Sequence, residues 1–290
     1  MNIADSQTIR LSDGRTLAYA EYGNLGGKPV FFFHGMPGSR LFRPPDEITK
    51  KMGVRLITTD RPGYGLSTFQ PGRRLLDWPG DIAQLADHLN IEKFSVMGHS
   101  AGGSYVAACA YALPERVTSA SALSGAGPLN SPAATHGMTA TNKLGLAIGR
   151  FIPWSIWQPL VWVFYHRRAE DPEADFKRLN GIRPAADDGQ LHKRNVLEAC
   201  VLSEVEAFRP GLLGLAWEAR LLTRPWDIPV EEIHVPFYLW HGTEDDQATL
   251  AMAQFVAGKI RGSKIILCKD EAHLLLFPHW EEILQQITRE

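Results

Sequence analysis

The feature that most constrains the fold is a glycine-flanked serine, Ser100, which stands between an apolar run and a helix-like run. Phe94–Met97 predicts a buried strand, and residues 101–112 predict a helix that ends before Pro114. In the pattern G-x-S-x-G the glycines permit a strained turn without a Cβ clash, which lifts the serine above the end of the sheet. The following helix directs free N–H groups and the positive end of its dipole to the same place. The pentapeptide alone also fits a purely structural turn, so a catalytic interpretation needs further residues.

The rest of the chain alternates short apolar runs with helical stretches, and this alternation predicts an α/β fold. Residues 8–11 and 16–22 predict a hairpin. Near-continuous apolar runs are typical of strands that are covered by helices on both faces. These runs lie at 30–33, 54–58, 94–97, 117–123, 236–240 and 264–268, with helices predicted at 76–89, 250–260 and 278–288. We therefore expect a mixed, mostly parallel sheet of about eight strands with helices on both faces.

Charge and hydropathy exclude several classes of protein. Thirty basic residues against thirty-two acidic residues leave a formal charge of −2, which does not indicate a nucleic-acid partner. The most apolar stretch, residues 151–165, contains two prolines and is shorter than the roughly 20 residues of a membrane span. The polar start of the chain lacks the features of a secretory signal, so we expect a cytoplasmic protein.

Cysteine and histidine patterns give no indication of a metal or a cofactor. Cys109, Cys200 and Cys268 are widely spaced, and we expect buried, reduced thiols. The ten histidines form no H-E-x-x-H or similar ligand pair, and no G-x-G-x-x-G or P-loop pattern is present.

A serine nucleophile needs a base, a carboxylate that orients the base, and donors for an oxyanion. The chain offers each at the end of a different predicted strand. His34–Arg40 follows the third strand, and within it Met36 keeps an N–H group whereas the next residue is proline; the backbone N–H groups of Met36 and Ala101 are therefore the candidate oxyanion-hole donors. Acidic residues follow the strand that ends at 240, and Lys269–His273 follows the last strand. The order serine, acid, histidine matches one of the three familiar triad orders.

Together these segments resemble the α/β-hydrolase fold family over essentially the whole chain. The resemblance is carried by "HGMPG" from 34, "DRPGYGLS" from 60, "GHSAGG" from 98, "HGTEDD" from 241 and "EAH" ending at 273. It implies that Ser100 is the nucleophile, His273 the general base and acid, and Asp245 the orienting carboxylate, because the family pattern is His-Gly-x-x-Asp. Glu244 and Asp246 are then expected to be solvated. Ala272 departs from the family pattern, which commonly has glycine before the histidine.

The alternation is interrupted between Gly127 and Ile233, a segment that holds five of the eight tryptophans, Trp154, Trp157, Trp162, Trp217 and Trp226. In the family that this chain resembles, such an insertion between the sixth and seventh core strands forms a helical cap over the serine. The resemblance implies a core of residues 1–127 and 233–290 and a cap of 128–232. Inward-facing aromatic side chains would line an apolar pocket, although packing of the cap on the core would equally account for them.

The expected function is hydrolysis of small to medium carboxylic esters through an acyl-enzyme, without metal or cofactor, on a substrate with an apolar acyl or aromatic part. An aminopeptidase similar to the proline iminopeptidases is one alternative, in which Glu204 and Glu206 would receive a substrate amine; a solvated helix face is the simpler expectation for both. A lactonase or a carbon-carbon bond hydrolase would use the same triad. A ligand receptor that turns over slowly is a further alternative. The sequence does not indicate the oligomeric state.

Overall fold

A single eight-stranded sheet organises the computed structural model, which describes residues 6–138 and 148–289. The strands are β1 (Ser6–Arg10), β2 (Thr16–Gly23), β3 (Lys28–Phe33), β4 (Val54–Thr59), β5 (Phe94–His99), β6 (Val117–Leu123), β7 (Phe237–Gly242) and β8 (Lys264–Cys268). Their spatial order is β1-β2-β4-β3-β5-β6-β7-β8. β2 pairs antiparallel with β1 and with β4, and the other neighbours are parallel. The predicted mixed, mostly parallel sheet is confirmed.

Helices cover both faces of this sheet. The helices are α1 (Asp46–Lys51), α2 (Trp78–His88), α3 (Gly102–Ala112), α4 (Trp154–Glu170), α5 (Pro172–Arg178), α6 (Ala185–Leu191), α7 (Arg194–Ala207), α8 (Leu213–Leu222), α9 (Leu250–Ala257) and α10 (Trp280–Ile287). Side chains of α2, α3 and α9 form one buried cluster with the sheet, and side chains of α10 form a second cluster.

Strand β3 shows why the central strands have near-continuous apolar sequences. Phe31 and Phe33 belong to the first cluster, whereas Val30 and Phe32 belong to the second. Side chains alternate between the faces of a strand, and both faces are buried from Val30 to Phe33, so each of these positions is apolar.

The observed boundaries follow the predicted ones to within a few residues. The helix expected over residues 76–89 begins with a 3₁₀ turn, Leu75–Asp77, before α2 starts at Trp78. Pro79 lies in the first turn of α2, where a helix needs no N–H donor, so the proline favours a helix start at this point.

Helices α4 to α8, here called the helical segment (residues 154–222), lie between β6 and β7 in the chain. The predicted helical insertion between the sixth and seventh strands is thus confirmed, whereas residues 139–147 of the expected cap lie outside the described residues. Val161, Ala207, Phe208, Leu215 and Ala216 of this segment pack together around Tyr64 of the first part of the chain.

Two further expectations concern the whole chain. The three cysteines are free and buried, as predicted. Within residues 6–138 and 148–289, the helices lack the combination of length and apolar character that a membrane span requires.

Candidate active site

Ser100 occupies a strained turn directly between β5 and α3. Its φ is +55°, in the left-handed region that non-glycine residues rarely adopt. A Cβ added to Gly102 would lie 2.3 Å from the carbonyl oxygen of Phe33, and one added to Gly98 would lie 2.5 Å from the carbonyl oxygen of Gly102. The Ser100 N–H group donates to the carbonyl oxygen of Leu123 at 2.9 Å, which ties the turn to the neighbouring strand. Both glycines are therefore needed for the close approach that presents this serine at the end of the sheet.

The loops after β7 and β8 bring an aspartate and a histidine together. His273 Nδ1 lies 2.9 Å from Asp245 Oδ2. Asp245 Oδ1 accepts the backbone N–H groups of Gln247 and Ala248, each at 2.9 Å, so both oxygens of the carboxylate are held. With the carboxylate as acceptor, Nδ1 of His273 carries the proton and Nε2 is the nitrogen that can accept one.

In the Asp245–His273 pair the pKa of the histidine is raised and that of the aspartate is lowered, so each group is stabilised in its charged form. Burial alone would lower the pKa of His273, but the charge and hydrogen bond of Asp245 raise it above the ordinary value of 6.5. Burial would raise the pKa of Asp245, but the charge and hydrogen bond of His273 outweigh it and lower the pKa. Glu244 and Asp246, the neighbouring acids, are exposed, and among the described residues neither is bonded to the imidazole.

Ser100 and His273 line one cavity of about 430 Å³, and Met36 forms part of the same wall. Ala101 follows the serine and immediately precedes α3. Within the described part of the chain, the backbone N–H groups of Met36 and Ala101 have no acceptor. The apolar wall includes Pro37, Phe42, Phe176, Leu179, Ile182, Leu191 and Leu274, and the polar wall includes Arg168, Arg183, Asp187, Glu204, Asp246 and Gln247.

Arg61 braces the loop that contains Met36, a role that the sequence did not predict. Its guanidinium donates to the carbonyl oxygens of His34 at 2.5 Å and Gly35 at 2.9 Å. The same guanidinium forms a two-point ion pair with Glu218 of α8, at 2.6 and 2.9 Å. All of these groups are buried. The motif that contains Arg61 does not by itself indicate this role, because the acidic partner lies on a distant helix.

The expectation that Glu204 and Glu206 lie on a solvated helix face is wrong. Glu204 forms a two-point ion pair with Arg168 of α4. Glu206 lies 2.8 Å from the guanidinium of Arg40, which is itself fully buried. The face of helix α7 that carries Glu204 and Glu206 is buried. Pairing with arginine compensates for the burial of the two carboxylates.

The five tryptophans between Gly127 and Ile233 are not among the residues that line the cavity, so packing, the second of the two interpretations, accounts for most of them. Trp157 donates its Nε1–H to the carbonyl oxygen of Ala216 at 2.8 Å, and Trp217 packs edge-on against Trp154. Trp162 is 58% exposed, and Trp226 packs on the first buried cluster of the sheet. Packing within the segment and against the sheet explains four of the five, and the aromatic residues of the cavity wall are Phe42 and Phe176 instead.

Comparison with known proteins identifies the fold. The family model for the α/β hydrolase fold matches residues 28–146. A bifunctional esterase/perhydrolase of Acinetobacter calcoaceticus is 25% identical over 246 residues, which cover 82% of this chain and 82% of that protein. A probable proline iminopeptidase of Leptolyngbya boryana is 35% identical over 114 residues, which are 38% of this chain and only 36% of that protein. The chain thus aligns with less than half the length of this relative and of two other curated relatives that it matches.

Among solved structures, a hydrolase from Pseudomonas aeruginosa PA01 superimposes with a TM-score of 0.71 at 18% identity and covers 98% of both chains. The chain therefore has the α/β-hydrolase fold. The fold and the relatives named as hydrolases support an enzyme.

Proposed function

We propose that this protein is a serine hydrolase of small to medium carboxylic esters, with Ser100 as nucleophile, His273 as general base and acid, and Asp245 as the carboxylate that orients the histidine. The observation that carries the proposal is that Ser100 and His273 line the same cavity while the Nδ1 atom of His273 is engaged by Asp245 at 2.9 Å. This arrangement leaves Nε2 as the nitrogen available to the serine.

In the proposed reaction, Nε2 of His273 takes the proton of Ser100 as Oγ attacks the ester carbonyl carbon. The backbone N–H groups of Met36 and Ala101 donate to the oxyanion that forms, and the N-terminus of α3 adds its positive dipole end. The imidazolium then protonates the departing alcohol, and an acyl-enzyme remains. Water attacks the acyl carbon with His273 again as base, which releases the acid and regenerates the serine. No metal or cofactor enters these steps.

The cavity supports a substrate of limited size. Its volume of about 430 Å³ lies in the lower part of the range of small-molecule sites, about 300–1,000 Å³. Its wall combines apolar side chains such as Phe42 and Phe176 with charged groups. We propose that the apolar wall receives the acyl or aromatic part of the ester.

We also propose that residues 128–232 act as a cap over the serine. In favour of this, the helical segment supplies much of the cavity wall, including Phe176, Leu179 and Ile182. A wall built by an insertion would exclude water from the ester and select its acyl group.

The aminopeptidase alternative has less support. Glu204 faces the cavity but is already paired with Arg168, and Glu206 is paired with Arg40. A carboxylate whose charge is compensated by an arginine attracts a substrate ammonium group weakly. The relative named as an esterase/perhydrolase makes hydrogen peroxide a useful second acyl acceptor to test beside water.

The test is hydrolysis of p-nitrophenyl esters of increasing acyl length by the wild-type protein and by Ser100→Ala. The matched control is Ser95→Ala, which removes a hydroxyl group at the other end of the same strand, where Ser95 is bonded to Thr118. Loss of the nucleophile should reduce kcat by roughly 10⁴-fold or more, whereas the control should retain turnover. Near-normal hydrolysis by Ser100→Ala contradicts the triad. Absence of hydrolysis by a folded wild-type protein on all esters would favour a peptide, lactone or carbon-carbon substrate, or a receptor.

A further inference from the structure

A third carboxylate reaches the histidine loop from the helical segment. Asp187 of α6 accepts the backbone N–H group of Leu274 through Oδ1 at 2.8 Å. Leu274 directly follows His273, so this bond fixes the start of the turn that carries the imidazole. Asp187 is 1% exposed and is part of the cavity wall. The contact links residues that are 87 positions apart in the sequence.

Three acidic side chains therefore act on His273 from two different parts of the chain. Asp245 and Asp246 come from the loop after β7, and Asp187 comes from α6. Each of the three favours the protonated imidazole, Asp245 most strongly. Burial raises the pKa of Asp187, while the charge of His273 and the backbone N–H groups of Leu274 and His273 oppose that rise. A buried carboxylate at this position is thus stabilised mainly by the histidine and its loop.

The histidines His99 and His241 also lie at the imidazole, and the guanidinium groups of Arg168 and Arg183, each paired with an acid, line the same cavity. The ring of His99 lies 4.7 Å from that of His273, and its Nε2 atom contacts the carbonyl oxygen of His273 at 2.9 Å. Burial, followed by the charge of His273, lowers the pKa of His99 to about 3. Burial also lowers the pKa of His241. Both rings are neutral near pH 7, so the carboxylates dominate the field at His273.

From this geometry we infer that Asp187 is a positioning residue for catalysis, which holds the His273 loop against α6 and stabilises the imidazolium formed in each proton transfer. The inference rests on the proposed function and extends it to the helical segment. A simple lid would select substrates and exclude water, but it would not alter the proton affinity of the base. Helix α6 combines the two roles, because Asp187 lines the cavity and also accepts the backbone N–H group next to His273.

Two substitutions separate the two roles of Asp187. Asp187→Asn keeps an oxygen that can accept from Leu274 N–H but removes the charge, and Asp187→Ala removes both. The control is Asp171→Asn, an exposed acid of the same helical segment that caps α5 through Ala174 N–H. The measurements are an NMR titration of the His273 ring and the pH dependence of kcat and kcat/KM for the best p-nitrophenyl ester.

We expect the midpoint of the His273 titration and the acid limb of kcat/KM to move to lower pH in Asp187→Asn, because the loss of a negative charge favours the neutral ring. At the high-pH plateau, kcat should fall roughly tenfold, because the imidazolium loses a stabilising charge. The kcat of Asp187→Ala should fall further, and the kcat and the His273 titration of Asp171→Asn should match those of the wild type.

An unchanged His273 titration and an unchanged acid limb in Asp187→Asn would overturn the inference, even if Asp187→Ala were slow, since that pattern indicates a structural contact alone. The NMR titration needs no substrate. If the wild-type protein hydrolysed no ester, the proposed function would fail, while the titration would still decide whether Asp187 sets the proton affinity of His273.

Discussion

Replacement of Glu218 tests the buried ion pair that holds the oxyanion loop. Glu218 is fully buried and is the acidic partner of Arg61, with a second guanidinium, that of Arg73, 3.7 Å away. Burial alone would raise the pKa of Glu218, but the two arginines lower it from 4.5 to about 2. Glu218→Gln keeps the shape of the side chain and removes its charge, which leaves two guanidinium groups buried with reduced compensation.

The shift gives the magnitude of the expected loss. A pKa lowered from 4.5 to about 2 corresponds to about 3 kcal/mol of folding free energy, at about 1.4 kcal/mol per pKa unit. Removal of one partner from a buried ion pair typically costs about 3–5 kcal/mol, which agrees with this value. Because the folded-state pKa is depressed, this stabilisation is present above pH 4.5 and is lost only as the pH falls toward about 2. At neutral pH the full effect is therefore expected.

The assay is urea unfolding at pH 7, followed by tryptophan fluorescence, beside hydrolysis of the best ester. Glu281→Gln is the control, since Glu281 pairs with Lys51 at 2.9 Å and both side chains are more than half exposed; such a pair contributes about 0–1 kcal/mol. Because Arg61 also bonds to the carbonyl oxygens of His34 and Gly35, kcat of Glu218→Gln should fall while KM changes less. A stability of Glu218→Gln within about 1 kcal/mol of that of Glu281→Gln would refute the reasoning.

Two further predictions concern the catalytic base and the turn at the serine. Because Asp245 raises the pKa of His273, kcat/KM should rise with pH through a midpoint above 6.5. Asp245→Asn should lower that midpoint and reduce kcat by roughly 10⁴-fold. The measurement is the pH–rate profile of both proteins, and a midpoint below 6.5 in the wild type would contradict the assigned role. Gly102→Ala should abolish ester hydrolysis and lower the melting temperature, because its Cβ would lie 2.3 Å from a backbone oxygen, whereas Gly80→Ala, with open space around it in α2, should be neutral or slightly stabilising; equal melting temperatures and turnover for the two variants would contradict the predicted clash.

The sheet could be predicted from sequence because its signals are local. In β3 every residue from Val30 to Phe33 is buried, so the sequence reads as one apolar run. At Ser100 two glycines at fixed spacing indicate the sharp turn, and the backbone has the positive φ that this pattern favours. The predicted bounds of β6 and β8 match the observed ones for the same reason. Periodicity and turn chemistry act over a few residues, which is the range that a single sequence displays.

The buried ion pairs could not be predicted, because each depends on a partner far away in the chain. The sequence predicts a solvated helix face for Glu204 and assigns no role to Glu218, since an isolated carboxylate is costly to bury. The cost is offset by Arg168 in one case and by Arg61 in the other, and Arg61 is 157 residues away from its partner. A pattern that equates polar with exposed therefore fails where an arginine and an acid are buried together.

The helical segment contacts the proposed machinery at more than one point, and this bears on how its substitutions should be interpreted. Glu218 of α8 holds Arg61, which in turn holds the loop of Met36, and Asp187 of α6 holds the backbone next to His273. One contact acts on the loop that would bind the oxyanion, and the other acts on the base. Substitutions of Glu218 and Asp187 should therefore alter kcat, whereas changes at apolar wall residues should alter which acyl chain is preferred. A segment that merely covered the serine would show only the second kind of effect.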